Sequence, residues 1–151
     1  MRLRLAALAV TALFGCGCAS AQQDPAPITW NSSALGKIIY ASEGNGTGVL
    51  EYETPFGDTI GRLYIEGLAG EFGGMGPLKG YWVESDVSHD DEDDNTLICP
   101  VTVTDDYGRT TRNWGRLVIA FTDDDFPSDF VLMRARCFED PNDVISARLI
   151  K

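Results

Sequence analysis

Residues 114–121 read Trp-Gly-Arg-Leu-Val-Ile-Ala-Phe, and after an eight-residue link rich in Asp, residues 130–138 read Phe-Val-Leu-Met-Arg-Ala-Arg-Cys-Phe. Successive side chains of an extended chain point to opposite sides, so each run divides into two sets. Leu117, Ile119 and Phe121 fall together, as do Val131, Met133, Ala135 and Cys137, while Trp114, Arg116, Arg134 and Arg136 take the other side. Neither run carries the i, i+3, i+4, i+7 stripe of an amphipathic helix. The pair therefore predicts two antiparallel strands with one apolar side.

The same rhythm extends outward through 37–41, 48–54, 60–66, 78–84, 97–104 and 144–150, which brings the expected total to about eight strands. Asn45-Gly46, Pro55-Phe56-Gly57-Asp58 and Asp106-Tyr107-Gly108 supply the turn residues that reverse a chain between antiparallel neighbours. Short links of this kind favour hairpins. The fold expected is all-β, an antiparallel up-and-down barrel that removes exposed edges, with a two-layer sandwich as the alternative. Its core set comprises Leu63, Ile65, Tyr81, Val83, Leu117, Ile119, Phe121, Val131, Met133, Ala135, Cys137, Ile145, Ala147 and Leu149.

The opposite set gathers Arg62, Tyr64, Glu66, Trp82, Glu84, Trp114, Arg116, Arg134, Arg136 and Arg148. One reading is an outer sheet surface on which Arg and Glu pair across strands, each pair worth under about 1 kcal/mol. The other is a binding surface, or a polar barrel interior, where guanidinium groups and indoles meet a carboxylate, a sugar or an acidic partner. The candidate ligand-binding residues are accordingly Tyr64, Trp82, Trp114, Arg116, Arg134 and Arg136.

Small secreted β-barrels of the lipocalin and avidin type carry a Trp at the start of the first strand and an Arg on the last that lies across it and closes the barrel bottom. Trp30 and Arg148 resemble that pair, although Ile28 stands where lipocalins place Gly. The resemblance implies an up-and-down barrel closed by Trp30 and Arg148. It carries no ligand-site motif across, and a fold does not by itself deliver a function.

The chain opens with a targeting segment. Arg2 and Arg4 precede an apolar run from Leu5 to Phe14, about half the roughly twenty residues a membrane-spanning helix needs. Leu13-Phe14-Gly15-Cys16 resembles a bacterial lipobox, which would lipidate Cys16; Ala19-Ser20-Ala21 is the competing site for ordinary signal cleavage. The organisation expected is a signal peptide over 1–21, a short tether over 22–27 and a single β domain over 28–151. The mature protein would be periplasmic or anchored at the outer membrane as a lipoprotein, or otherwise secreted.

The formal net charge is −11, and loss of Arg2 and Arg4 takes it to about −13. Nucleic acid is excluded as a partner on long-range electrostatics, and membrane is met only through the N-terminal lipid. Cationic proteins, polyamines and divalent metals are compatible with this charge, and the partner expected is an unidentified protein or small ligand. Of the four cysteines, Cys99 and Cys137 alone fall inside the mature domain, and in an oxidising compartment they should pair.

Residues 86–95, Asp-Val-Ser-His-Asp-Asp-Glu-Asp-Asp-Asn, lack the Gly and closing Glu of an EF-hand loop. They read as a solvated loop, or as a weak calcium site joined by Asp123, Asp124 and Asp125; no other metal site or cofactor is expected. His89, the single histidine, lacks a second His as metal ligand and sits among aspartates, so no Ser or Cys nucleophile has an evident base. The glycines of Gly73-Gly74-Met75-Gly76-Pro77 lead into a predicted strand and not a helix, which disfavours a phosphate loop. The function expected is an exported, non-enzymatic binding or envelope-interaction module. Its alternatives are an inhibitor of a cationic hydrolase such as a lysozyme, and a small carboxylate-dependent hydrolase.

Overall fold

A computed structural model describes residues 26–54, 59–69, 76–85 and 98–151. The expected export signal with Cys16, most of the expected tether, the expected turn at Pro55 to Asp58, Gly73 to Met75 and the acidic run with His89 lie outside these residues. Ten strands are described: β1 Thr29–Ser32, β2 Gly36–Gly44, β3 Thr47–Glu53, β4 Ile60–Glu66, β5 Leu78–Val83, β6 Val103–Thr104, β7 Thr110–Thr111, β8 Trp114–Phe121, β9 Phe130–Arg134 and β10 Asp143–Leu149. Eight of them close a barrel in the order β1-β10-β9-β8-β5-β4-β3-β2, every pair antiparallel, while β6 and β7 form a separate two-stranded ribbon.

The barrel is the architecture expected, reached with one exchange of strands. Among the described residues of the run 97–104, only Val103 and Thr104 are extended in a sheet, and they pair with Thr111 and Thr110 outside the barrel. Its place is taken by β1, which is short but hydrogen-bonds β2 on one side and β10 on the other. Ser32 ends β1 and accepts the backbone N–H groups of Ala34 and Leu35, turning the chain into β2.

Inside, Ile38, Leu50, Tyr52, Leu63, Ile65, Trp82, Leu117, Ile119, Phe130, Leu132, Ile145 and Ala147 pack as one buried cluster. A barrel of eight strands has an interior just wide enough for side chains of this kind. Each fully buried large apolar group contributes about 1.5–3 kcal/mol. Two glycines make the fit. Gly61 lies opposite Tyr52, where any Cβ would collide with the phenol ring, and Gly115 lies opposite Trp82 beneath its indole.

The expected inward set holds in β4, β8 and β10 and is reversed in β5 and β9. Trp82 points inward, whereas Tyr81 and Val83 face out and pack under the ribbon. Phe130 and Leu132 point inward, leaving Val131 and Met133 exposed on the outer wall beside Val144. In β9 both sets are apolar, and the expected strand runs on to Phe138 with Cys137 on its inward side. In fact β9 ends at Arg134, and the backbone turns through a positive φ of 52° at Cys137, so Cys137 does not share the alternation of β9.

The two barrel ends differ in chemistry. At one end Trp30 packs its ring against Phe121, Phe126 and Phe130 and donates its indole N–H to the Ser128 carbonyl at 2.7 Å. This aromatic plug replaces the Trp30–Arg148 closure that the lipocalin likeness implied. Arg148 pairs in register with Asn31 and is exposed, while Leu149 is the residue opposite Trp30. The reason is alternation: Ile145 and Ala147 face inward, so Arg148 must face out.

Candidate functional site

The other end of the barrel is polar, and it is built by residues at or just beyond the ends of four strands. Tyr52 of β3, Glu84 just past β5, Arg134 of β9 and Asp143 of β10 converge there. The Tyr52 hydroxyl donates to Glu84 Oε1 at 2.6 Å, and Asn113 Nδ2 donates to Glu84 Oε2 at 3.3 Å. Arg134 places Nε 3.0 Å from Asp143 Oδ2 and NH1 3.6 Å from Glu84 Oε1, with its guanidinium 5.4 Å from the centre of the Trp82 ring. Burial, followed by the charge of Glu84, pushes the Tyr52 phenol well above its ordinary value, so it is a hydrogen-bond donor at any physiological pH.

A cleft of about 330 Å³ opens beside this network, lined by Trp82, Glu84, Arg134, Arg136, Glu139, Asn142 and Asp143 among others. The indole N–H of Trp82 is fixed by the Ala135 carbonyl at 2.8 Å, so the ring forms a rigid wall. Three of the candidate residues, Trp82, Arg134 and Arg136, are thus brought together. The remaining three, Tyr64, Trp114 and Arg116, are not. Arg116 is exposed on the outer wall, 5.6 Å from the Phe138 ring.

Tyr64 and Trp114 belong to a second buried cluster, outside the barrel, with Val49, Val83 and Cys99. A cover over residues 98–113, including the β6–β7 ribbon, lies on it. Its fasteners include four that join it to the barrel wall and to the segment after β9. Cys99 and Cys137 form a disulfide across 38 residues of sequence; Trp114 Nε1 donates to the Val101 carbonyl at 2.7 Å; Arg109 donates to the Ile60 carbonyl; and Arg62 reaches Asp105 at 3.2 Å while also pairing with Glu51 at 2.8 Å. Arg62 further lies 4.0 Å over the Tyr107 ring. Tyr64 and Trp114 are therefore packing residues beneath this cover, with Tyr64 stacked on Tyr81 at 4.7 Å. The Tyr64 hydroxyl is buried near the Asp105 carboxylate, yet among the described residues no partner meets it in hydrogen-bonding geometry.

Asp105 is the buried carboxylate that sequence reading passed over, because it merges into the Asp105-Asp106-Tyr107-Gly108 turn. Its Oδ1 accepts the backbone N–H groups of Tyr107 at 3.0 Å and Arg109 at 2.7 Å, an Asx arrangement that shapes the ribbon turn. Burial alone would raise its pKa, but the Arg109 N–H and the Arg62 guanidinium outweigh burial and hold it below the ordinary 3.8. A carboxyl depressed on folding contributes stability that is full above its unfolded value and is lost as pH falls through the lower folded value. Asp105→Asn is expected to cost about 1–3 kcal/mol near neutrality. Thermal midpoints followed from pH 5 to pH 2 should converge between variant and wild type at the acid end; a constant gap would remove Asp105 as a source of the acid sensitivity.

Among the described residues no group of three or more His, Cys, Asp or Glu side chains is arranged to hold a metal ion, and Asp123, Asp124 and Asp125 do not form one. No protein-family model matches the chain, and no curated protein and no solved structure matches it.

Proposed function

We propose that this chain is an exported, non-enzymatic binding module of the bacterial envelope, either tethered through Cys16 or free after cleavage, and that its ligand site is the polar mouth of the barrel. The observation that carries the reading is the gathering of Trp82, Arg134 and Arg136 with three carboxylates around one open cleft, at the end opposite the aromatic plug. Side chains inside the barrel are committed to packing. Those at the mouth combine a fixed ring with charges near solvent, which is the composition of a recognition surface. Glu84 and Asp143 both hold the Arg134 guanidinium in the free molecule.

The test is retention of a partner from envelope extract by the immobilised mature protein, compared with an Arg136→Ala, Glu139→Ala double variant. Both substituted residues are exposed, so the fold should be unaffected. The variant is expected to retain the partner at least about tenfold less well, as for the loss of one well-placed charged contact. Equal retention would show the mouth to be structural. A basic hydrolase as the retained partner, losing its activity when the protein is added, would make the protein an inhibitor of such an enzyme, a reading that the net charge of −11 favours.

A further inference from the structure

We infer that the mouth receives one basic side chain from a cationic protein, and that in the free molecule Arg134 occupies the place this side chain takes. The inference rests on the mouth being the ligand site and adds the class of ligand. Arg134 is held as a bound guanidinium would be: an indole face 5.4 Å away, a carboxylate at 3.0 Å on the solvent side and a second at 3.6 Å on the inner side. An aromatic face combined with carboxylates is the arrangement that recognises cations.

The cage exists independently of its occupant. Glu84 is fixed from within by Tyr52 and Asn113, and Trp82 by the Ala135 carbonyl, so neither depends on Arg134 for its position. Asp143 is 57 % exposed at the side chain and can be reached from solvent. Glu139 and Asn142 place further acceptors on the same cleft.

Charge selects the ligand. Glu84, Glu139 and Asp143 face Arg134 and Arg136, so the lining carries one negative charge in excess, which one incoming cation neutralises. The acidic chain as a whole attracts basic surfaces over distance and repels acidic ones. When the partner's cation enters, Arg134 swings to the solvent-exposed rim, where it stays hydrated.

The experiment follows the Trp82 indole N–H resonance of the mature protein during titration with three capped pentapeptides that differ only in a central Arg, Gln or Glu. The Arg peptide is expected to give a saturable shift and the other two none. Glu139→Gln with Asp143→Asn should weaken the Arg peptide about tenfold. The same charge change at Asp123→Asn with Asp124→Asn, at the opposite end, should leave it within about twofold. Arg134→Gln, by vacating the cage, should tighten binding several-fold.

Three outcomes overturn the assignment. A shift with the Glu or Gln peptide but not the Arg peptide would leave the mouth as a site and remove the cation. Equal weakening by the two acidic double variants would reduce the effect to general electrostatics. No shift with any peptide would remove both the cation and the mouth.

Discussion

Replacing Cys99 and Cys137 together with serine is expected to lower the stability of the β domain by about 3–4 kcal/mol and its thermal midpoint by roughly 10–15 °C, while the barrel itself still forms. The loss follows from chain entropy, because the bond closes a loop across a sequence separation of 38 residues and so restricts the unfolded chain. Its local consequence is as specific. The disulfide joins the cover to the segment after β9, and beneath the cover lie Val49, Tyr64, Val83 and Trp114. Every barrel pairing, in contrast, is made by strands that do not include Cys99 or Cys137. The variant should therefore keep its far-UV β signature, show a changed Trp114 environment in near-UV or fluorescence spectra, and be cleaved by protease within 98–113 before anywhere in the barrel. Cooperative loss of all signals at one midpoint, unchanged from wild type, would show that the remaining fasteners suffice and that the bond adds nothing.

The contrast between cover and barrel also explains what could be read from the sequence. Alternation was unambiguous where one set of a strand is apolar and the other charged, as in Arg62-Leu63-Tyr64-Ile65-Glu66, and there the inward residues are those expected. It was ambiguous where both sides of a strand are apolar for different reasons. Val83 is fully buried because the cover lies over it, so the outer side of β5 looks like a core side in sequence. Trp82 has an apolar body and one N–H, and either position would suit it; the neighbouring Gly115, which leaves room for the indole, settles the matter but is informative only once the register of β5 against β8 is known.

The candidate site was legible in part for the same reason. Trp82, Arg134 and Arg136 were singled out as members of an arginine-aromatic face, yet no such single face exists. Arg62 and Arg116 look outward, whereas Arg134 belongs to the inward set of β9 and reaches the mouth. Tyr52 and Asp143 were not legible, since the partner of Tyr52 lies 32 residues away and Asp143 meets Arg134 only in the particular register of β10 against β9. Asp105 carried one usable signal, an Asp two residues before a Tyr-Gly turn, which is the position from which a carboxylate accepts backbone N–H groups of the turn.

Gly115→Ala is expected to cost about 3–5 kcal/mol although it adds one methyl group. Gly115 is an inward position of β8, directly opposite Trp82 of β5, and the chain leaving β9 crosses above it. A Cβ there would overlap the Ala135 carbonyl oxygen and stand 2.7 Å from Trp82 Nε1. These two atoms are the donor and acceptor of the bond that fixes the indole. The methyl group cannot be relieved by a rotamer change, because one obstacle is backbone and the other is a ring enclosed by the core. Either the indole moves, leaving its N–H without a partner, or the segment 135–137 moves, pulling Cys137 away from its bridge to Gly115. Both routes pass through the mouth, so loss of stability should be accompanied by a shifted Trp82 indole resonance and by protease sensitivity near Ala135. The matched comparison is Gly46→Ala, where no atom would meet the added carbon and only the left-handed turn, with φ of 80°, is strained; it should cost about 1 kcal/mol and leave Trp82 undisturbed. If Gly115→Ala proved no worse than Gly46→Ala, the close seating of Trp82 on β8 would be wrong, and the mouth built on that wall would have to be abandoned with it.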